Sequence, residues 1–214
     1  MKAAARFDRW ALACLTSAML VTAMPQFAAA EEFTKTFVMH AAAKPVPEIK
    51  FEDGQGKMHN LADFADKAVV LNIWATWCVP CRKEMPALDQ LQASLGGPHF
   101  AVVPISIDRG GIETVAKFYA DIGIRNLPMY IDTSGKAIKE LGAIGLPTTL
   151  VLDRNGEEVA RVVGPAEWDT PEIAELLKPV IAKEGDPTKR AQRDSGSPGP
   201  LMRLVRWLNS FWLN

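Results

Sequence analysis

The sequence predicts an α/β fold in which one mixed β-sheet is covered by helices on both faces. Two apolar runs rich in β-branched residues, Ala68 to Ala75 (AVVLNIWA) and Phe100 to Ile107, have the composition of strands buried on both sides. Segments of helical periodicity alternate with these runs, the order that places helices over a sheet. Thr148 to Asp153 and Glu158 to Val163, joined by Arg154-Asn155-Gly156, then read as an antiparallel hairpin, so the sheet is expected to be mixed.

Each element follows from a local signal. Lys2, Arg6 and Arg9 precede an apolar run from Trp10 to Met24, and Ala28-Ala29-Ala30 offers small residues for cleavage, so 1–30 is read as an export signal peptide. An uncleaved anchor is the alternative, because the run falls just short of a bilayer span. Residues 31–47, Ala-rich with Pro45 and Pro47, are expected to be a linker, and the folded domain is expected over 48–183. The domain opens with a short hairpin, Ile49 to Glu52 and Lys57 to Asn60, turned by Asp53-Gly54-Gln55-Gly56. The first buried run follows, then a helix from Arg82 to Leu95 stopped at Gly96-Gly97-Pro98, then the second run. A helix over Ile112 to Ile122, a short strand over Met129 to Asp132 and a short helix over Ser134 to Leu141 lead into the last hairpin and a helix from about Thr170 to Lys183. Residues 184–200, ending Ser195-Gly196-Ser197-Pro198-Gly199-Pro200, read as a flexible linker. In 201–214, Leu201, Leu204, Val205, Leu208, Phe211 and Trp212 share one face opposite Arg203 and Arg206, the pattern of an amphipathic helix.

Composition narrows the chemistry. Lys and Arg number 24 against 25 Asp and Glu, which gives no reason to expect a nucleic-acid partner. Cys14 lies in the export signal, which leaves Cys78 and Cys81 in the exported chain. A bridge across two intervening residues restricts the unfolded chain little, so redox chemistry explains the pair better than an inert structural disulfide does. Haem attachment would need a His where Arg82 stands. A zinc site would draw on His40, His59 and His99, which show no ligand spacing, so no metal site is expected.

The segment Trp74-Ala75-Thr76-Trp77-Cys78-Val79-Pro80-Cys81 leaves a buried strand and enters a helix. Unpaired N–H groups and the helix dipole favour an anion there, so Cys78 is the expected nucleophile. Cys81 follows by nearly one helical turn, placed to attack a mixed disulfide and release product. No His or second cation lies between the cysteines to favour the thiolate further, and Val79-Pro80 therefore points to a reductant.

This octet, continuing as Arg82-Lys83-Glu84-Met85-Pro86, resembles the active site of the thioredoxin superfamily, and within it the TlpA/ResA-type periplasmic branch, TlpA-like members most of all. The resemblance runs from about Pro47 to Ile181 and includes Gly145-Leu146-Pro147-Thr148-Thr149, which is similar to the cis-proline loop of that superfamily. It implies a thioredoxin-like mixed β-sheet flanked by helices, with an N-terminal β-hairpin and a central helix-strand insertion near Gly111 to Leu141. It also implies a cis Leu146-Pro147 peptide facing the disulfide, with Trp77, Val79, Pro80, Leu146, Pro147 and Thr148 forming the surface on which an extended substrate segment docks. Conventional thioredoxins carry a buried Asp six residues before the first cysteine, where this chain has Asn72. Glu84, three residues after Cys81, resembles the acidic residue that the branch keeps near its disulfide, and is the candidate proton relay to Cys81. A solvated Glu at the head of a helix is the alternative. Pro86 is expected to kink the helix.

The resemblance further implies a periplasmic thiol:disulfide oxidoreductase whose redox-active disulfide Cys78–Cys81 is its sole redox group, with no separate cofactor. Its expected substrates are disulfides of exported proteins, such as copper chaperones, oxidase copper sites or apocytochrome c. Electrons would come from a transmembrane thiol carrier of the CcdA/DsbD type, because an oxidising compartment has no reducing pool. The alternative from another class is a copper-binding delivery protein of the same fold, although the wider cysteine spacing and distal His of such proteins are not evident here. A peroxidase would show Pro-x-x-x-Thr-x-x-Cys, and Leu71 and Ala75 hold those places instead. The basic residues Lys189, Arg190, Arg193, Arg203 and Arg206 against Asp194 suit contact of the 201–214 helix with anionic lipid. Folding of that helix back onto the domain is its alternative.

Overall fold

The two apolar runs form the centre of the sheet, β4 (Ala68–Trp74) and β5 (Phe100–Ser106), paired in parallel from Ala68 opposite Phe100 to Trp74 opposite Ser106. The structure, a computed structural model, describes residues 37–188, so the expected export signal, most of the second linker and the amphipathic segment 201–214 lie outside the described residues. On the other side of β4, β7 (Thr148–Leu152) runs antiparallel, followed by β8 (Glu158–Val163), the expected hairpin. Beyond β5, the short β6 (Tyr130–Ile131) is parallel, and the hairpin of β2 (Lys50–Asp53) and β3 (Met58–Asn60) continues the sheet antiparallel. β1 (Phe37–Lys44) completes the far edge, giving the order β1-β8-β7-β4-β5-β6-β2-β3.

Alternation along β4 divides the core. Val69, Leu71 and Ile73 point into one apolar cluster with Ile49, Phe51, Val103 and Leu150. Val70 and Trp74 point into the other, which holds Met85, Leu88 and Leu91 of α1 (Val79–Leu95), Phe118 of α2 (Ile112–Ile122) and Ile173 and Leu177 of α4 (Pro171–Ala182). Ala137 of the short α3 (Lys136–Glu140) packs on the first side, so helices cover both faces as expected. Asn72, two residues from both Val70 and Trp74, is on the α1 side and fully buried. The α2 helix ends at Gly123, whose φ of 76° is a left-handed conformation open to glycine without strain.

Three expectations are corrected. Residues 37–44, read as part of a linker over 31–47, are strand β1, paired antiparallel with β8 through Phe37 opposite Val162 and Met39 opposite Ala160. An edge strand with most residues exposed carries no apolar alternation, so its partner rather than its own sequence defines it. The helix read from Arg82 begins at Val79, because Cys78 caps it and Pro80 suits a first turn whose N–H groups have no partner. The first residues of the 184–200 linker rest on the domain, Asp186 N–H donating to Asn155 Oδ1 at 2.6 Å in the β7–β8 turn.

Candidate active site at the head of the first helix

The chain leaves β4 at Trp74 and turns into α1 within five residues, and that turn is fixed from three sides. Cys78 N–H donates to the Ala75 carbonyl at 3.1 Å, and Arg82 N–H to the Cys78 carbonyl at 3.0 Å. The buried carboxylate of Asp108, just beyond β5, accepts from the Thr76 N–H at 2.8 Å, the Thr76 hydroxyl at 2.7 Å and the Ser106 hydroxyl at 2.7 Å. The residue two before Cys78 is thereby tied to the neighbouring strand.

Cys78 is the N-cap of α1, in extended backbone, with Sγ accepting from the Cys81 N–H at 3.3 Å. Sulfur therefore occupies the place where the helix end presents unpaired donors and partial positive charge, and a thiolate there is favoured over a free thiol. Cys78 and Cys81 are joined in a disulfide, with Cys78 6% exposed and Cys81 at 0%. Only the first sulfur is open to an incoming group.

The surface beside Cys78 is apolar and open. Trp77, Val79 and Ile144 are 66%, 61% and 89% exposed, unusual for such side chains unless something covers them in use. Trp77 and Ile144, with Pro80, Ile107, Ile138 and Leu146, line a shallow groove of about 470 Å³ that reaches Cys78. The Leu146-Pro147 peptide is cis. Of the residues expected to dock substrate, Trp77, Pro80 and Leu146 line this groove, while Val79 is exposed next to Cys78 in the chain but is not part of the lining. Pro147 is buried. The Thr148 side chain is also buried, its hydroxyl donating to the Gly145 carbonyl at 2.7 Å, so it braces the loop from within. Ile144, Ile107 and Ile138 were not singled out from sequence. An exposed isoleucine before Gly145 has no periodic neighbour to mark it.

Glu84, three residues after Cys81 in α1, is 3% exposed, so the solvated alternative does not hold. Oε1 accepts from Asn72 Nδ2 at 2.9 Å, and Oε2 from the Ala166 N–H and Trp168 Nε1, each at 3.2 Å. Asn72 also donates to Thr149 Oγ1 at 2.9 Å, linking the carboxyl to the strand that follows the cis-proline loop. Burial pushes the Glu84 carboxyl up to about 7, and the hydrogen bonds from Asn72, Trp168 and Ala166 only partly oppose it. A group near that value both takes and gives a proton at neutral pH. Ala166 and Trp168 come from the loop after β8, whose approach to α1 is a tertiary fact without a local signal.

The sequence pattern of the AhpC/TSA family matches residues 42–160. The chain is 33% identical over 148 residues to the thiol-disulfide oxidoreductase ResA of Bacillus thuringiensis subsp. konkukian, an alignment covering 69% of this chain and 83% of that one. It belongs to the ResA/TlpA-type thiol-disulfide oxidoreductases. Solved structures agree with this oxidoreductase in fold. A DsbF homologue from Corynebacterium diphtheriae is 32% identical with a TM-score of 0.55, over 66% of this chain and 93% of that one. A secreted thiol-disulfide isomerase from Corynebacterium glutamicum is 26% identical with a TM-score of 0.57, over 69% and 93%. The chain is a thiol:disulfide oxidoreductase of thioredoxin-like fold. Its substrates carry disulfides, and its cycle needs a redox partner.

Proposed function

We propose that this oxidoreductase is exported and acts as a reductant on particular exported proteins, with Cys78 as attacking thiolate, Cys81 as resolving thiol and Glu84 as proton relay. The observation that carries the reading is the pairing of an open sulfur at the helix terminus with a shielded sulfur and a buried carboxyl further along the same helix. In the dithiol form the Cys78 thiolate attacks a substrate disulfide, forming a mixed disulfide and expelling one substrate thiolate. Cys81 then gives its proton to the Glu84 carboxylate and attacks Cys78 Sγ. The second substrate thiolate leaves, and the Cys78–Cys81 disulfide forms. Two electrons pass to the substrate, and its two thiolates take up protons, one of them by way of Glu84.

The groove beside Cys78 supports docking of an extended segment on Trp77, Pro80 and the 143–146 loop while its cysteine reaches sulfur. A CcdA/DsbD-like transmembrane thiol carrier is the donor that fits an oxidising compartment, which supplies no soluble reducing pool. Family resemblance supports the periplasm as the site, with copper chaperones, oxidase copper sites or apocytochrome c as substrates. The test is a Cys81→Ser variant, in which Cys78 should trap substrate as a mixed disulfide. Trapping that persists in Cys78→Ser and vanishes in Cys81→Ser would reverse the roles.

A further inference from the structure

Arg161 of β8 lies outside the redox site, yet its guanidinium reaches the segment that feeds the groove. Nη1 donates to the carbonyl of Leu141 at 2.9 Å and, more weakly, of Gly142 at 3.4 Å. The next residues, Ala143 to Leu146, line the groove beside Cys78. The guanidinium is itself gripped at two points, Nε to Glu158 Oε1 and Nη2 to Glu158 Oε2, both at 2.7 Å. Glu158 Oε1 also meets His40 Nε2 of β1 at 2.8 Å. Burial works against the Glu158 charge, but the hydrogen bonds from Arg161 and His40 outweigh it and hold the carboxyl below its ordinary range. A planar cation held by two parallel bonds has little freedom to swing, so the carbonyls that it binds are held as well.

The loop after those carbonyls has few other restraints. Ala143 N–H donates to the Ile138 carbonyl at 2.9 Å, and Thr148 Oγ1 donates to Gly145 at 2.7 Å. Between these points sits Ile144, 89% exposed, the most open large apolar side chain beside the groove.

We infer that Arg161, braced by Glu158 and His40, is a positioning residue for substrate docking that sets the 141–146 loop without touching the sulfur chemistry. This rests on the reading of the groove as the docking surface. A small disulfide needs only Cys78, whereas a peptide must also lie along the loop. Losing the latch therefore raises the cost of ordering the loop for peptides alone.

Two probes separate these cases in single-turnover reactions of the reduced protein. One is a symmetric aryl disulfide, and the other is a twelve-residue cysteine peptide carrying the same aryl thiol as a mixed disulfide. Arg161→Lys, which keeps the charge but loses the two-point grip, should raise the half-saturating peptide concentration about three- to tenfold. Its limiting rate, its rate with the aryl disulfide and its reduction potential should stay within about twofold of the wild type. Amide exchange should quicken at 141–146. His40→Gln, which removes only the outer brace, should give the same split in smaller measure, and it carries the test if the Arg161 variant does not fold. Equal losses on both probes, or an unchanged peptide half-saturation, would overturn the latch. A wild type that shows no lower half-saturating concentration for the peptide than for the aryl disulfide would instead remove the reading of the groove as docking surface on which the latch depends.

Discussion

Within the first two turns of α1, side chains of one helix meet opposite surroundings. Cys78 opens to solvent through an apolar groove, while Glu84 is sealed among Asn72, Ala166 and Trp168. A buried carboxyl raised to about 7 has a definite effect on stability. Below pH about 4.5, the ordinary value, folded and unfolded chains both hold the proton, and the favourable contribution is complete. As pH rises toward 7 the unfolded chain releases its proton first, so stability falls across that window and levels off above it. The shift corresponds to about 3 kcal/mol at 1.36 kcal/mol per pH unit. Denaturant unfolding of the oxidised protein and of Glu84→Gln, from pH 4 to pH 8.5, should show wild type losing about that much relative to the variant. A difference independent of pH would mean that the carboxyl ionises normally. The cysteine pair was singled out by its spacing at a strand-to-helix turn, and Glu84 by its resemblance to the acidic residue that the TlpA/ResA-type branch keeps near its disulfide. Trp168, Thr149 and Asp108 were not, since their roles depend on strands and loops distant in sequence meeting at one point.

Elements differ in how much of themselves they carry in sequence. β4, β5, α2 and the β7–β8 hairpin announce themselves, the strands because both faces are buried and the hairpin because Asn155-Gly156 specifies a turn. β1 could not, as its FVMHAAAK sequence is mostly exposed and acquires strand form only by pairing with β8. That difference predicts where stability resides. α1 is seated by Met85, Leu88 and Leu91, of which Leu88 is fully buried and far enough along the helix to leave the redox turn untouched. Leu88→Ala should cost about 2–5 kcal/mol, the range for a buried leucine truncated in a packed core. Equilibrium unfolding measures it. A loss below about 1 kcal/mol would show that the helix is held chiefly by its first turn instead.

At the scale of the molecule, the sheet puts everything chemical at the carboxyl ends of its two central parallel strands. The Cys78 turn leaves β4, Asp108 follows β5, and the cis-proline loop enters β7 alongside β4. Two apolar layers hold these segments in register, and Trp168 of one of them donates to the buried Glu84 carboxyl. The reductant reading joins that architecture to function, because Val79 and Pro80, the two residues between the cysteines, add neither a His nor a cation to the helix terminus that favours the Cys78 thiolate. Equilibration of the Cys78–Cys81 couple against defined dithiol buffers tests it most directly. The predicted reduction potential lies nearer about −270 mV, the range of thioredoxin, and a value near about −120 mV, the range of a strong disulfide donor, would contradict it.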